Sequence, residues 1–319
     1  FPKSEFKKIK SLKDFLEKRP RYTIRDYNRR RDCFFVIIEK HDFFKKCPCT
    51  KMAVSCGYHI FNLGFGCTFE CTYCYLQEYT NCPGIILPSN IEKYFAIFKD
   101  YKRPGMRIGT GEFTDSLAID DITQYSIPLV DFFNKNKEII FEFKTKSDNI
   151  ANLVRARHEK NIVISWSLNP ENVIRENEFY TASLENRLKA AVECVRAGYM
   201  VGFHFDPIIH YNSWENDYNM LVNCLFDKIP PKYIAWISLG TFRFKPNLKR
   251  IIENRFPNST ILDEELLMGF DNKLRYPTKI RYIMYKKMVS WLRKRAKNVP
   301  VYLCMEKKDI ILQVLMKEI

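Results

Sequence analysis

The sequence predicts an α/β fold in which a parallel sheet curls into a partial (β/α)6 barrel of the TIM type, with extensions at both ends. The first observation is that six apolar or β-branched runs alternate with segments of helical period. The second is a group of three cysteines directly after the first run, where the loops of a parallel barrel carry its chemistry. The third is the lack of solenoid repeats and low-complexity linkers, which favours one barrel over separate domains.

The predicted elements follow one another in regular order after residue 57. Strands are expected at Tyr58–Gly66, Met106–Phe113, Ile139–Lys146, Asn161–Asn169, Met200–His210 and Tyr233–Phe242. Helices are expected between them at Ile91–Lys99, Ile119–Asn134, Asp148–His158, Leu184–Ala197 and Trp214–Phe226. We therefore assign residues 58–260 to the barrel, which ends in a further basic helix at Asn247–Arg255.

Both predicted extensions are basic. Residues 1–57 form the N-terminal extension, with a buried strand expected at Cys33–Ile38. Residues 261–319 form the C-terminal extension, which we expect to pack on the barrel. Its basic and aromatic segment Lys273–Arg295 precedes a predicted strand, Val299–Met305, and a closing helix, Asp309–Ile319.

An arginine-rich patch with interleaved tyrosines lies in the N-terminal extension, between Arg19 and Arg31. Such a patch can hold phosphates and stack on bases, or it can be the solvated face of a helix. The sequence leaves both interpretations open.

The charge balance, the cysteine content and the lack of a long apolar run indicate which partners and which chemistry to expect. Lys plus Arg exceed Asp plus Glu by 15 (52 minus 37), and a basic excess of this size indicates a polyanionic partner, nucleic acid first, unless it reflects composition alone. Eleven cysteines, with early lysines in place of an apolar leader, favour metal or redox chemistry over disulfides. No run of 18 apolar residues occurs, so we expect no membrane partner and a cytoplasmic location.

The three clustered cysteines are Cys67, Cys71 and Cys74, in C-x3-C-x2-C spacing. Thiolates are the usual ligands of iron–sulfur clusters, and a 4Fe-4S cluster bound by only three keeps one open iron. Structural zinc favours paired C-x2-C units, so a zinc-stabilised nucleic-acid-binding protein is the alternative from another class. The spacing, with Tyr73 before the last cysteine, resembles that of radical S-adenosylmethionine enzymes, which implies both a 4Fe-4S cluster and S-adenosylmethionine.

A second cysteine group precedes the first: Cys47, Cys49 and Cys56. It could hold a second metal site with Cys33 or Cys82 as fourth ligand. The alternative is that these are small buried residues packed beside the cluster.

Polar residues end several predicted strands. The segment from Gly109 to Glu112, Gly-Thr-Gly-Glu, resembles the superfamily's Gly-Gly-Glu-like segment, which would assign Gly111 and Glu112 to the cofactor's amino group. Lys146 ends the third strand, where an ammonium could meet the cofactor carboxylate. Ser167 and Asn169 end the fourth and suit ribose or carboxylate.

Two further strand ends carry polar or charged groups. His204, Asp206 and His210 lie at or after the fifth strand, with a spacing that favours substrate or cofactor contacts over a metal site. Arg243, after the sixth strand, is a candidate for binding phosphate or carboxylate.

These motifs in combination resemble the spore photoproduct lyase family over roughly residues 58–260. The segments that carry the resemblance are Cys67–Gln77, Thr114–Ser116, Phe143–Lys146, Ser165–Asn169, Ala197–Phe203, Pro207–His210 and Phe242–Pro246. The resemblance implies a 5′-deoxyadenosyl radical made by reductive cleavage of S-adenosylmethionine, and repair of thymine dimers or a related DNA lesion. It also implies cofactor contacts from Thr114 or Asp115, Lys146 and Ser167.

The resemblance also places Tyr73 and Tyr75 near the hydrogen-transfer path, where this sequence departs from the family. The family has a hydrogen-donating cysteine just before the Thr/Ser-Asp segment, and here that place holds Glu112 or its neighbour Gly111. A carboxylate cannot return a hydrogen atom. Either Tyr73 or a distant cysteine such as Cys82 substitutes, or the substrate differs.

The partners expected from this interpretation are DNA and a one-electron donor such as ferredoxin or flavodoxin, with the protein acting as a monomer. We assign nucleic-acid contacts to Arg243, Arg275, Lys279 and Arg281. The main alternative keeps the radical chemistry and acts on RNA, a peptide or a small molecule.

Overall fold

The computed structural model describes residues 4–19, 21–50 and 52–316. The strands are β1 Phe34–Ile37, β2 Phe44–Lys46, β3 Tyr58–Phe61, β4 Glu70–Cys71, β5 Ile85–Pro88, β6 Arg107–Gly109, β7 Ile140–Thr145, β8 Ile162–Ser167, β9 Glu178–Phe179, β10 Met200–Ile208, β11 Ile234–Thr241, β12 Arg243–Phe244, β13 Leu267–Met268, β14 Leu274–Arg275 and β15 Val301–Leu303. The helices are α1 Leu12–Glu17, α2 Ile24–Asn28, α3 Leu76–Tyr79, α4 Ile91–Tyr101, α5 Asp120–Thr123, α6 Ser126–Asn134, α7 Ala151–Arg155, α8 Glu171–Asn177, α9 Leu184–Arg196, α10 Trp214–Lys228, α11 Pro246–Arg255, α12 Thr278–Arg295 and α13 Lys308–Leu315.

The main sheet has eight strands in the order β15-β11-β10-β8-β7-β6-β3-β2. The six predicted strands form β3, β6, β7, β8, β10 and β11, which pair in parallel. The sheet curls into a half-barrel with its helices outside, so the predicted partial barrel is confirmed.

Both extensions contribute to this sheet. From the N-terminal side β2 pairs antiparallel with β3, and from the C-terminal side β15 pairs in parallel with β11. An open half-barrel exposes two strand edges, and each of these short strands covers one of them.

The core consists of the apolar faces of the strands and the inner faces of the helices. Every residue of β8 is buried, and the rings of Phe133 and Phe141 stack with their centroids 3.9 Å apart. The barrel interior also holds a polar group at Glu142, whose carboxylate accepts a hydrogen bond from Ser165 and lies 2.8 Å from His204 Nε2. Burial alone would raise the pKa of Glu142, but His204 and the nearby Arg107 lower it to about 2.

Several predicted boundaries differ from the structure. The first barrel strand ends at Phe61 instead of Gly66, because the chain turns at Gly64 (φ +135°), where a Cβ would lie 2.5 Å from the Ile86 carbonyl oxygen. The helix expected at Ile119–Asn134 is divided into α5 and α6 at Gln124, whose φ of 52° is left-handed.

The ends of the chain differ in two further respects. The strand expected at Cys33–Ile38 forms as β1 in a separate two-stranded sheet with β5, but it is not buried, since Val36 is 68% exposed. The closing helix begins at Lys308 and is described to Leu315, and residues 317–319 lie outside the described part of the chain. Within that part, none of the helices combines the length and the apolar character needed to cross a bilayer.

Candidate active site

Cys67, Cys71 and Cys74 lie on the loop that follows β3, and all three line a cavity of about 560 Å³. The cavity is at the carboxyl ends of the barrel strands, because residues just beyond β6 and β7 and the last residue of β8, Ser167, line it too. The loop is held by backbone pairing: β4 pairs antiparallel with β9, which sets Cys71 opposite Glu178. The Thr72 amide also donates to the Asn177 carbonyl at 2.9 Å. All three motif cysteines therefore face one cavity, and their role as cluster ligands stays a prediction.

A buried arginine fixes the outer side of this loop. The Arg30 side chain is inaccessible to solvent, and its Nε donates to the Cys67 carbonyl at 2.9 Å. Its other nitrogens donate to the Phe69 carbonyl and, at 2.8 Å, to the Glu70 carboxylate. Glu70 also pairs with Arg255, from α11. Arg30 therefore belongs to the scaffold of the cysteine loop, although it lies in the patch for which phosphate binding was one interpretation.

The donor set fits an iron–sulfur cluster better than a mononuclear metal. In the described residues, no three His, Cys, Asp or Glu side chains gather closely enough to hold one metal ion. In a cubane each thiolate binds a different iron, so its sulfur ligands stand further apart than those of one ion. Burial raises the pKa of all three thiols, that of Cys67 to about 12, so cationic irons would be needed to stabilise the thiolates.

The second cysteine group does not form the metal site that the sequence offered. Cys47 and Cys49 follow edge strand β2 and Cys56 is exposed, whereas Cys33 and Cys82 flank the separate β1–β5 sheet. Within the described residues these cysteines do not gather closely enough to hold one metal ion. Unlike the three motif cysteines, they do not all line one cavity. Cys47 lines the cavity, whereas Cys82, suggested as a substitute hydrogen donor, is buried away from it.

Lys146 lies just beyond β7 and lines the cavity. Its ammonium donates to the Glu178 carboxylate at 2.9 Å and to the Tyr73 hydroxyl oxygen at 2.8 Å. The third N–H of the ammonium is left for a ligand in the cavity.

Glu178 is the site residue that sequence reasoning missed. Besides Lys146, its buried carboxylate accepts from Asn169 Nδ2 at 2.8 Å and from the Tyr73 hydroxyl, and Arg187 Nη2 lies 2.7 Å away. Burial would raise the pKa of Glu178, but Lys146 and Arg187 hold it well below its usual value. Because β9 has only two residues, it leaves no periodic signal in the sequence, and Glu178 could not be distinguished from a surface glutamate.

Asn169 consequently has a supporting role. Its amide nitrogen donates to Glu178 and its oxygen accepts from the Tyr218 hydroxyl at 2.7 Å, and it lies behind the cavity wall. Ser167, two residues earlier, does line the cavity.

The loop after β6 brings Gly111, Thr114 and Asp115 to the cavity. A Cβ on Gly111 would lie 2.6 Å from Lys144 Cβ, so only glycine allows this approach. Asp115 accepts from the Thr145 hydroxyl at 2.6 Å and from the Lys146 amide at 2.7 Å, which joins the loop to β7. Among the described residues, the Thr114 hydroxyl has only a long contact of 3.5 Å to a carbonyl, so of this pair it is the freer to bind a ligand.

Glu112, from the same loop, meets Tyr75 of the cysteine loop at the cavity wall. The Glu112 carboxylate lies 2.8 Å from Lys45 Nζ, and its carbonyl accepts from the Tyr75 hydroxyl at 2.7 Å. The carboxylate expected to hold the cofactor's amino group is thus already paired with a lysine.

The three polar residues around β10 have separate partners. His204 bonds Glu142 inside the barrel, Asp206 pairs with Arg243 at 2.9 Å, and His210 lies 3.1 Å from Glu264. This dispersal agrees with the sequence argument that they are not a metal site.

The predicted nucleic-acid contacts need correction. Arg275 is 1% exposed and its Nε donates to Asp271 at 2.9 Å, while Arg281 is 5% exposed and paired with Glu306 at 3.0 Å. Both guanidiniums form internal ion pairs and are too buried to contact DNA phosphates. Lys279 is exposed on α12, and Arg243 lines the cavity while paired with Asp206.

The half-barrel with a three-cysteine loop at the carboxyl end of its first parallel strand defines the radical S-adenosylmethionine class of proteins. The family model described as spore photoproduct lyase matches residues 23–299. The chain belongs to the spore photoproduct lyase family.

Individual relatives agree with this assignment. The chain is 30% identical over 212 residues to spore photoproduct lyase of Bacillus subtilis and 27% identical over 206 residues to that of Clostridium acetobutylicum. Each match covers 63% of this chain and spans 61% of the relative's length.

Solved structures share the fold. A spore photoproduct lyase complexed with dinucleoside spore photoproduct matches with a TM-score of 0.77 at 23% identity, over 93% of this chain and 88% of that one. A double mutant with bound AdoMet and dinucleoside spore photoproduct matches with a TM-score of 0.76 at 24% identity, over the same shares of the two chains.

Proposed function

We propose that this protein is a radical S-adenosylmethionine enzyme that acts on a DNA lesion, a thymine dimer or a related photoproduct. The observation that carries the proposal is that the three motif cysteines, Lys146 and Thr114 open into one cavity. Membership of the spore photoproduct lyase family, and the AdoMet and dinucleoside lesion named for its structural neighbours, support the same reaction.

Cys67, Cys71 and Cys74 would hold a 4Fe-4S cluster, which when bound supplies the electron that cleaves a carbon–sulfur bond of S-adenosylmethionine. Lys146 would bind the cofactor carboxylate with its remaining N–H, since its other two contacts are internal. The Ser167 and Thr114 hydroxyls would hydrogen-bond the cofactor, and the bare backbone at Gly111 gives it room. Buried walls on β6–β8 exclude water from the reacting atoms.

The substrate would enter past the basic part of the cavity wall. Six Lys and Arg side chains line the cavity against four Asp and Glu, and this excess of two positive charges suits phosphodiesters. Lys45 and Arg243 are paired with acidic neighbours, whereas Lys144 and Lys245 add charge to the wall. Lys279 would add a contact from the exposed face of α12. The proposal includes a one-electron donor such as ferredoxin or flavodoxin, a monomeric enzyme and a cytoplasmic location.

The Glu112–Lys45 pair favours a second candidate within the same class. Glu112 or its neighbour Gly111 stands where the family has its hydrogen-donating cysteine, and neither side chain offers a weak bond to hydrogen. An enzyme with a different hydrogen donor, or with an RNA, peptide or small-molecule substrate, would be consistent with it.

The test uses anaerobically reconstituted, dithionite-reduced protein with S-adenosylmethionine and an oligonucleotide that contains the photoproduct. We expect 5′-deoxyadenosine together with restored thymine. Formation of 5′-deoxyadenosine without restored thymine would support the cofactor chemistry and would favour the second candidate, with a different substrate or hydrogen donor. Absence of 5′-deoxyadenosine in protein with a full cluster would contradict both.

A further inference from the structure

A basic surface on the outer side of the cysteine loop has no part in the proposed reaction. It consists of Arg25, Arg29, Arg31 and Tyr180, called here the outer surface. Arg25 and Arg29 are exposed and stand one helical turn apart at α2. The Arg31 guanidinium lies 3.8 Å from the centre of the Tyr180 ring, which is itself 67% exposed.

The elements that carry the outer surface contact all three motif cysteines. Arg30, between Arg29 and Arg31, donates to the Cys67 carbonyl at 2.9 Å. Tyr27 of α2 is buried close to Cys74, and burial together with this thiol raises the pKa of Tyr27. Tyr180 directly follows β9, which pairs with Cys71. The outer surface is therefore one layer of side chains away from the proposed cluster.

The outer surface and the cavity reach the cysteine loop separately. The described residues before β2 contribute nothing to the cavity lining, which begins with Lys45. Substrate and cofactor occupy the cavity in the proposed reaction, so an electron has to arrive by another route. The outer surface offers that route to a partner that never enters the cavity.

Charge defines the partner. Residues 7–32 contain eleven Lys and Arg against four Asp and Glu, and such a field accelerates the approach of an acidic protein. We infer that the outer surface docks an acidic protein that carries a one-electron group, and that it does so to reduce the cluster. One electron passes from the reduced carrier to the cluster, and no bond forms or breaks. DNA is the less suited occupant, because a lesion bound here would lie on the wrong side of the loop.

This inference rests on the proposed function, and the test separates the two. The variant is Arg25→Glu/Arg29→Glu in reconstituted protein, and stopped-flow bleaching of the cluster is followed with either reduced flavodoxin, an acidic carrier, or dithionite. At low salt we expect reduction by flavodoxin to slow at least tenfold, since steering of this kind is worth about 10–10³ in rate. Dithionite is a small molecule that needs no docking, so its rate stays unchanged.

A matched control is Lys135→Glu/Lys160→Glu, which makes the same charge change at exposed positions at the opposite end of the barrel. It should leave the flavodoxin rate within about twofold of the wild type. If the double Arg→Glu variant assembles no cluster, Arg25→Gln/Arg29→Gln replaces it, with a slower flavodoxin rate and a weaker salt dependence expected.

Two results would overturn the docking assignment. One is an unchanged flavodoxin rate in the arginine variants, which together with weakened oligonucleotide binding would make the outer surface a nucleic-acid contact. The other is an equal loss of the flavodoxin rate in the lysine control. If the wild type binds no cluster that dithionite can reduce, the proposed function fails instead.

Discussion

Two groups of three cysteines differ in what surrounds them. The Cys67, Cys71 and Cys74 loop is paired to β9 and bonded through its carbonyls to a buried arginine. The segment with Cys47, Cys49 and Cys56 contacts the C-terminal part of the chain, since the Val54 amide donates to the Glu306 carbonyl at 3.0 Å, but Cys56 itself is exposed. Close spacing supplies thiols in both groups, but only in the first group do all three cysteines line one cavity.

The largest effect should come from Cys71→Ala. This change removes one of three cluster ligands at the position that pairs with β9, so iron and sulfide should fall from roughly four per chain to near zero. Cleavage of S-adenosylmethionine should be abolished. Metal analysis and 5′-deoxyadenosine chromatography measure the two effects, and unchanged turnover would contradict the assignment of the first group.

The second largest effect should come from removing Arg30, which supports the cysteine loop, while the three cysteines stay in place. Arg30→Met leaves the Cys67 carbonyl without its buried donor and Glu70 with Arg255 as its remaining arginine partner, and loss of one partner of a buried pair costs about 3–5 kcal/mol. Urea unfolding of the apoprotein measures the loss. The matched control is Arg29→Met, whose side chain is 82% exposed and which should change the free energy of unfolding by less than about 0.5 kcal/mol. Equal effects of the two changes would mean that Arg30 does not hold the loop.

Glu178→Gln tests the link between the cysteine loop and the cofactor side chains. All four groups around Glu178 are donors, so the amide nitrogen of a glutamine would face donors and release Lys146. We expect binding of S-adenosylmethionine, measured by equilibrium dialysis, to weaken by about tenfold, or 1.4 kcal/mol.

A double-mutant cycle with Lys146→Ala makes this prediction specific. If Glu178 acts through Lys146, Glu178→Gln should add less than about threefold in the Lys146→Ala background. The neighbouring Glu176→Gln, at an exposed position, serves as control. A full tenfold effect of Glu178→Gln in both backgrounds would show that Glu178 does not act through Lys146.

The smallest effect should come from the second group. Cys49→Ser changes a partly exposed thiol with one weak contact, from Sγ to the Val54 carbonyl at 3.9 Å. Iron content should stay the same, and the free energy of unfolding should change by less than about 0.5 kcal/mol. If Cys49→Ser lost one equivalent of bound metal, the hypothesis of a second metal site would be supported.

The sequence predicted the six barrel strands, their order and the loop that bears the cysteines, because apolar or β-branched runs and motif spacing are local signals. It misplaced several element ends, where single residues such as Gln124 decide the geometry. It also assigned Arg275 and Arg281 to DNA, since a sequence gives the sign of a charge and says nothing about the Asp271 and Glu306 that neutralise it.

By itself, the sequence determined the class of chemistry: three thiols at fixed spacing after a buried strand, in a basic chain. Only the tertiary structure decided which charged groups remain free to act. The fold brings three distant residues to the cysteine loop. Arg30 lies 40 residues before Glu70, and Glu178 and Arg255 lie 107 and 184 residues after Cys71. Such contacts are selected by burial, where an ion needs a partner, and burial is a property of the folded chain.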